Sequence, residues 1–153
     1  MDFTIRPIAT VANSRKETED DYWAEIVSEI RLEEDIPTES LDGIESFSHL
    51  EIVYIFHKAI DKPVVLGSEH PRENKKWPRV GIFAQRKKDR PNHLGVTIVE
   101  LLRRDGRNLL VKYLDAIDGT PVVDIKPVMR EFLPMSSVVQ PDWSSELMIN
   151  YWE

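Results

Sequence analysis

Cysteine is absent from the 153-residue sequence, which excludes disulfides, thiolate metal sites and a cysteine nucleophile and fits a reducing compartment. No apolar run approaches the roughly 18 to 20 residues of a membrane span, and the opening Met-Asp-Phe-Thr-Ile-Arg lacks the apolar stretch of a secretory signal. The expectation is a soluble, cytoplasmic protein with no membrane partner. Gly/Ser linkers, low-complexity tracts and internal repeats are missing too, and the ten prolines are scattered as turn punctuation. One domain over residues 1–153 is expected. The common catalytic and nucleotide-binding signatures are missing, with no Gly-x-Gly-x-x-Gly, no Walker loop, no His-Glu-x-x-His and no Gly-x-Ser-x-Gly, which argues against a Rossmann enzyme. The four histidines, His49, His57, His70 and His93, lack the tight spacing common in zinc sites. They read as structural, and no metal is expected.

What is present is an uneven charge. The net value is −7, yet Arg72 to Lys112 holds twelve basic residues against Glu73, Asp89, Glu100 and Asp105, a local excess of eight that leaves −15 for the remainder. Such a segment suits an anionic ligand if it folds into one surface; otherwise its charges are solvated loop and strand-edge groups.

Hydrophobic periodicity points to short strands. Phe3 to Val11 is rich in β-formers, and Glu25 to Leu32 alternates Ile26, Ser28, Ile30 and Leu32 against Glu25, Val27, Glu29 and Arg31, the period of two of a half-buried strand. Leu50 to Phe56 is mostly apolar and predicts a central strand covered on both faces. Val80 to Phe83 and Val96 to Leu102 follow; Arg104-Asp105-Gly106-Arg107 is a hairpin signal that returns Asn108 to Leu114 antiparallel, and Asp118-Gly119-Thr120-Pro121 turns into Val122 to Ile125. Strands at this spacing indicate an all-β sandwich or barrel. Pro141-Asp142-Trp143-Ser144 starts a short helix through Tyr151, whose aromatics need a surface to cover.

Two segments carry more chemistry than scaffold requires. Phe83 to Gly95 gathers Arg86 and Arg90, planar donor forks for a carboxylate or phosphate, around a Pro91-Asn92 turn, with Gly95 permitting close approach of a ligand. Leu114 to Pro127 places Asp115, Asp118 and Asp124 beside a turn, where composition alone favours ordinary turn-capping.

These segments resemble a known family. Phe83-Ala84-Gln85-Arg86 with Arg90-Pro91-Asn92-His93-Leu94-Gly95, the run Asp118-Gly119-Thr120-Pro121-Val122-Val123-Asp124-Ile125-Lys126-Pro127, and Leu41-Asp42-Gly43-Ile44-Glu45-Ser46-Phe47-Ser48-His49-Leu50 are similar to three motifs of the TsaA-like family, in the right order and spacing. The resemblance covers about residues 3–130, leaving 131–153 as a C-terminal extension. It implies a single antiparallel closed β-barrel with short helical segments, including one near the C-terminus. It further implies a homodimer that holds S-adenosyl-L-methionine near the subunit interface and passes its methyl group to N6 of threonylcarbamoyladenosine in tRNA.

By the same analogy the cofactor-binding residues are His57, Lys58, Phe83, Arg86, Asn92, Gly95, Val96, Tyr113, Leu114 and Asp115. Arg86 lies on the cofactor, His57 and Lys58 border it, Tyr113, Leu114 and Asp115 line its adenosine and sulfonium side, and Val96 adds an apolar wall. A sulfonium favours carboxylates, carbonyl dipoles and aromatic faces, and a methionyl carboxylate needs Arg or Lys. The catalytic base is open among Asp115, Asp118 and Asp124, with His57 a further candidate. Where better-known members carry Pro-Arg-Gln this chain has Glu19-Asp20-Asp21-Tyr22-Trp23, and His93 replaces a proline. Alternative functions are methyl transfer to another RNA or a small molecule, or a non-catalytic module that binds the cofactor or a related nucleoside. The aromatics Trp143, Tyr151 and Trp152 are expected to be buried in the dimer interface.

Overall fold

The computed structural model describes all residues from Met1 to Glu153. Six strands close into an antiparallel barrel: β1 (Ala9–Ala12), β2 (Val27–Leu32), β3 (His49–Ile55), β6 (Leu94–Asp105), β7 (Asn108–Lys112) and β8 (Pro121–Pro127). Their order around the barrel is β1-β2-β7-β6-β3-β8, and β8 pairs back with β1. A two-stranded pair, β4 (Ser68–Glu69) with β5 (Val80–Gly81), stands apart within the connection from β3 to β6. Closure leaves no barrel edge open.

Alternation decides which residues fill the barrel. Ser28, Ile30 and Leu32 of β2 point inward, as the period of two predicts, and meet Val11, Leu50, Ile52, Tyr54, Val99, Leu109, Val111 and Val122. The expectation of a strand covered on both faces is corrected at β3: Leu50, Ile52 and Tyr54 are buried, while Glu51, Val53 and Ile55 are half-buried on the outer wall. A barrel strand has one inner face, so a central-strand environment does not arise. The opening strand is also shorter than predicted, because residues 1–7 find no partner strand and Phe3 stays 83% exposed. Asp105 pairs with Asn108 across the Gly106–Arg107 turn, where Gly106 takes φ 62°. A positive φ at the first central position is the tight-hairpin geometry that glycine supplies without strain. Near the C-terminus α1 (Asp142–Leu147) follows Pro141, and turns continue to Trp152. No helix is long and apolar enough to cross a membrane.

Strand direction sorts the connections. The segments 13–26, 56–93 and 113–120 all leave one end of the barrel, whereas 33–48, the Gly106–Arg107 turn and the exit of β8 lie at the other. Residues 128–150 start from that second end, and Tyr151 is found back at the first.

Candidate functional site

Asp115, just beyond β7, is the centre of the end that carries the three long connections. Tyr54 Oη donates to its Oδ1 at 2.9 Å, Thr97 Oγ1 donates to the same oxygen, and Tyr151 Oη donates to Oδ2. A carboxylate has about four acceptor positions, so three hydroxyls leave it one. Burial, then the Asp115 charge, push the Tyr54 and Tyr151 hydroxyls well above the ordinary tyrosine range; the Arg86 guanidinium opposes both shifts. Both phenols therefore remain donors across any functional pH. Thr97 lies inside the barrel on β6 and Tyr54 inside it on β3.

Gly95 explains how Tyr54 gets there. It is the cross-strand partner of Tyr54, and a Cβ at Gly95 would lie 2.5 Å from Tyr54 Cε2 and 3.0 Å from Phe56 Cζ. On the side where a Cβ would stand, the close approach to Gly95 is made by a tyrosine ring. The ring meets Phe56 edge-on at 5.4 Å, a packing that aims its hydroxyl at Asp115.

The other candidates divide. Arg86 is exposed, and its Nη2 donates to the carbonyl of Val96 at 2.6 Å. Phe83 projects from a short 3₁₀ turn and is 78% exposed. Asn92 holds φ 67° in the Pro91–His93 turn, and Arg90 Nη1 is committed to the Gln85 carbonyl at 2.6 Å. Tyr113, at φ 66°, turns its ring against Trp152, 5.9 Å away and edge-on. Leu114 is fully buried in the core cluster, so its side chain packs the barrel and only its backbone can face a ligand.

His57 sits beside the Asp118–Thr120 turn, its Nε2 3.8 Å from where a Cβ of Gly119 would stand. Burial, then the Lys58 charge, hold its imidazole below the ordinary histidine value. Lys58 Nζ donates to the Lys16 carbonyl at 2.8 Å.

The three aspartates are not equivalent. Asp118 caps the turn after β1, with Oδ1 accepting from Asn13 N at 3.0 Å and Lys16 Nζ 3.8 Å from Oδ2. Asp124 is on the outer wall, where a register shift in β8 sets it opposite Val53; it caps Ile125 N at 2.9 Å and is paired with Lys126. The bulge turns it away from the barrel interior. Sequence reasoning missed Tyr54, Thr97 and Tyr151 as functional side chains. It also missed Arg15, whose guanidinium donates to the carbonyls of Asp21 at 3.1 Å and Tyr22 at 2.7 Å and stacks 4.3 Å over the buried Trp23.

The basic segment does not form one surface. Arg103, Arg104 and Arg107 lie at the hairpin end, remote from Asp115 in the strand order. Arg72 pairs with Asp21 at 2.9 Å, Arg104 with Asp42 at 3.2 Å, and Lys87 with Glu69 at 2.7 Å and Asp89 at 3.7 Å. Acidic residues from elsewhere in the chain, Asp21, Asp42 and Glu69, answer part of that local excess of positive charge.

The fold and site define a small closed antiparallel barrel carrying, at one end, a carboxylate ringed by hydroxyls with a guanidinium nearby. The sequence profile described as the tRNA-methyltransferase O N-terminal domain matches residues 16–132, and the chain belongs to that family. It is 36% identical over 128 residues to a tRNA (adenine(37)-N6)-methyltransferase of Escherichia coli, covering 74% of this chain and 51% of that protein. A probable S-adenosyl-L-methionine-binding protein of Methanothermobacter thermautotrophicus is 35% identical over 135 residues, covering 86% of this chain and 93% of that one. A crystal structure of TrmO from Pseudomonas aeruginosa superposes with a TM-score of 0.71 at 25% identity, covering 90% of this chain and 61% of that one. The chain spans about half or less of the relatives that carry the tRNA methyltransferase name.

Proposed function

We propose that the protein is an S-adenosyl-L-methionine-dependent methyltransferase that methylates N6 of threonylcarbamoyladenosine in tRNA. The observation that carries this reading is the Asp115 carboxylate, fixed by three hydroxyl donors and left with one open acceptor position, at the same barrel end as Arg86. A fixed anion suits a sulfonium, the Tyr113 and Trp152 rings suit an adenine, and Arg86 suits the amino-acid carboxylate, so the donor set fits the cofactor. The bound cofactor supplies an electrophilic methyl group. The names of the relatives support the same chemistry.

On this reading Arg86, His57, Lys58 and Tyr113 border the cofactor, with Val96, Phe83 and Asn92 forming its rim and Gly95 and Leu114 placing the groups around it. The attacking exocyclic nitrogen must lose its proton as it gains the methyl group. Asp124 is paired with Lys126 on the outer wall and Asp118 caps a turn, and the free position of Asp115 is taken by the sulfonium, which leaves His57, held neutral, as the proton acceptor. The water-excluding work falls to the half-buried Tyr151 and its neighbours.

We also infer a homodimer, now from the outer wall of β6, where Leu94, Val96 and Ile98 are exposed; Tyr151 and Trp152, offered by the sequence for that interface together with Trp143, are instead engaged within the chain. One domain and a cytoplasmic location complete the reading. A second reading is favoured by one observation: the relative that this chain spans almost end to end is named for binding the cofactor alone. In that case the chain is a binding module without turnover.

Isothermal titration with S-adenosyl-L-methionine tests the site. Saturable heat that falls at least tenfold in affinity in Arg86→Ala is expected; no heat at millimolar ligand removes both readings.

A further inference from the structure

The C-terminal segment, which the sequence reading left as an extension, is fastened to the site at several points. Tyr22 N donates to the Asn150 carbonyl at 3.0 Å and Trp23 N to the Tyr151 carbonyl at 2.9 Å, so the divergent Glu19–Trp23 stretch and the chain end bind each other through backbone. Trp77 Nε1 donates to Glu146 Oε2 at 2.8 Å and holds α1 against the β4–β5 connection. Trp152 stacks edge-on with both Tyr151, at 5.0 Å, and Tyr113. The Arg15 guanidinium, in turn, locks the carbonyls of residues 21 and 22 and the face of Trp23. These contacts deliver one polar atom to the centre of the site, the Tyr151 hydroxyl on Asp115 Oδ2.

Tyr54 and Thr97 both hold Oδ1 from inside the barrel. Without Tyr151 the other oxygen has no protein donor, and rotation about the Cβ–Cγ bond, which swings both oxygens together, is opposed only by the two hydroxyls on Oδ1. We propose that Tyr151 is a positioning residue: its hydroxyl fixes the plane of the Asp115 carboxylate so that the remaining acceptor position faces a bound cation, which makes the C-terminal segment a working part of the site. The role rests on the cofactor reading above, since the cation is the sulfonium of S-adenosyl-L-methionine.

The sulfonium gives the test its control, because S-adenosyl-L-homocysteine has the same adenosine and amino-acid ends and a neutral sulfur. A carboxylate oriented for the cation contributes to the first ligand and not to the second. The experiment is isothermal titration of both ligands into the wild-type chain and Tyr151→Phe, which keeps the ring and its contacts with Trp152, alongside Asp115→Asn. Charge-assisted hydrogen bonds are strong enough that Tyr151→Phe is expected to weaken S-adenosyl-L-methionine by about tenfold while S-adenosyl-L-homocysteine stays within roughly twofold, with Asp115→Asn showing the same selective loss more strongly. Equal weakening of both ligands would make Tyr151 a packing residue only and overturn the proposal, as would no change in either. Failure of the wild-type chain to bind either ligand would overturn the cofactor reading itself, and with it this role for Tyr151.

Discussion

Replacing Gly95 by alanine tests whether the site is built by packing from inside the barrel. The added methyl would lie 2.5 Å from Tyr54 Cε2 and 2.6 Å from Cζ. The ring has little room to yield, since Phe56 covers one edge, the β3–β6 ladder fixes its backbone and its hydroxyl is bound at Asp115. Overpacking of this kind costs about 1–3 kcal/mol. Displacing a hydroxyl from a charged acceptor adds about 1.5–3 kcal/mol, and the smaller unfolded-state entropy of alanine returns about 0.4–1 kcal/mol. The net expectation is a loss of about 3 kcal/mol in urea unfolding, or a fall in Tm of about 6–12 °C at this chain length. The assay is chemical and thermal denaturation of Gly95→Ala in the wild-type background and in Tyr54→Leu, where the shorter side chain should let the same methyl in at a cost below about 1 kcal/mol. A loss under 0.5 kcal/mol in the wild-type background, on the order of an ordinary surface change, would refute the reasoning, and so would an equal loss in both backgrounds.

The raised phenol values give a pH prediction. The folded state keeps Tyr54 and Tyr151 protonated while the unfolded chain ionises them near pH 10, so their contribution is complete below that pH and is lost as pH rises above it. Stability should fall by up to about 2.7 kcal/mol per pH unit above 10, the slope of two groups, and Tyr151→Phe should roughly halve the slope. On the acid side, His57 should titrate below its ordinary value by NMR, because burial and Lys58 disfavour its charged form; an ordinary value would contradict its placement. Arg15→Ala should free the 19–23 stretch, lower stability by about 2 kcal/mol through lost hydrogen bonds and cation–π stacking, and expose that stretch to limited proteolysis. For tRNA, Lys87→Ala should leave the salt dependence of binding unchanged because Lys87 is already paired with Glu69 and Asp89, whereas joint replacement of Lys75, Lys76 and Lys88 should flatten it; a flatter slope from Lys87→Ala alone would contradict the pairing.

The parts of this architecture that were legible in the sequence are those encoded locally. The alternation of Ser28, Ile30 and Leu32, the Asp105-Gly106 turn and the start of the terminal helix at Pro141 each depend on a few adjacent residues, and each was found where predicted. The all-β class followed from the same signals, and closure of the barrel came from the family resemblance. The Asp115 cluster was not legible, because its donors come from 61, 18 and 36 residues away. Tyr54 looked like one more apolar member of a strand covered on both faces, and Tyr151 like an aromatic in search of an interface. The basic segment misled for a related reason: Asp21, Asp42 and Glu69, which pair with its arginines and lysine, lie outside the segment in sequence and beside it in space. At Gly95 the sequence suggested close approach of a ligand, and only the register of β3 against β6 reveals that Tyr54 packs on its Cβ side.

The most direct test of the central claim is methyl transfer itself. The purified protein is incubated with methyl-labelled S-adenosyl-L-methionine and tRNA from a strain lacking the corresponding modification, and the tRNA is digested to nucleosides. Label on N6 of threonylcarbamoyladenosine, lost in Asp115→Asn and Arg86→Ala, is the predicted result. Tight cofactor binding with no label on any tRNA nucleoside would contradict it.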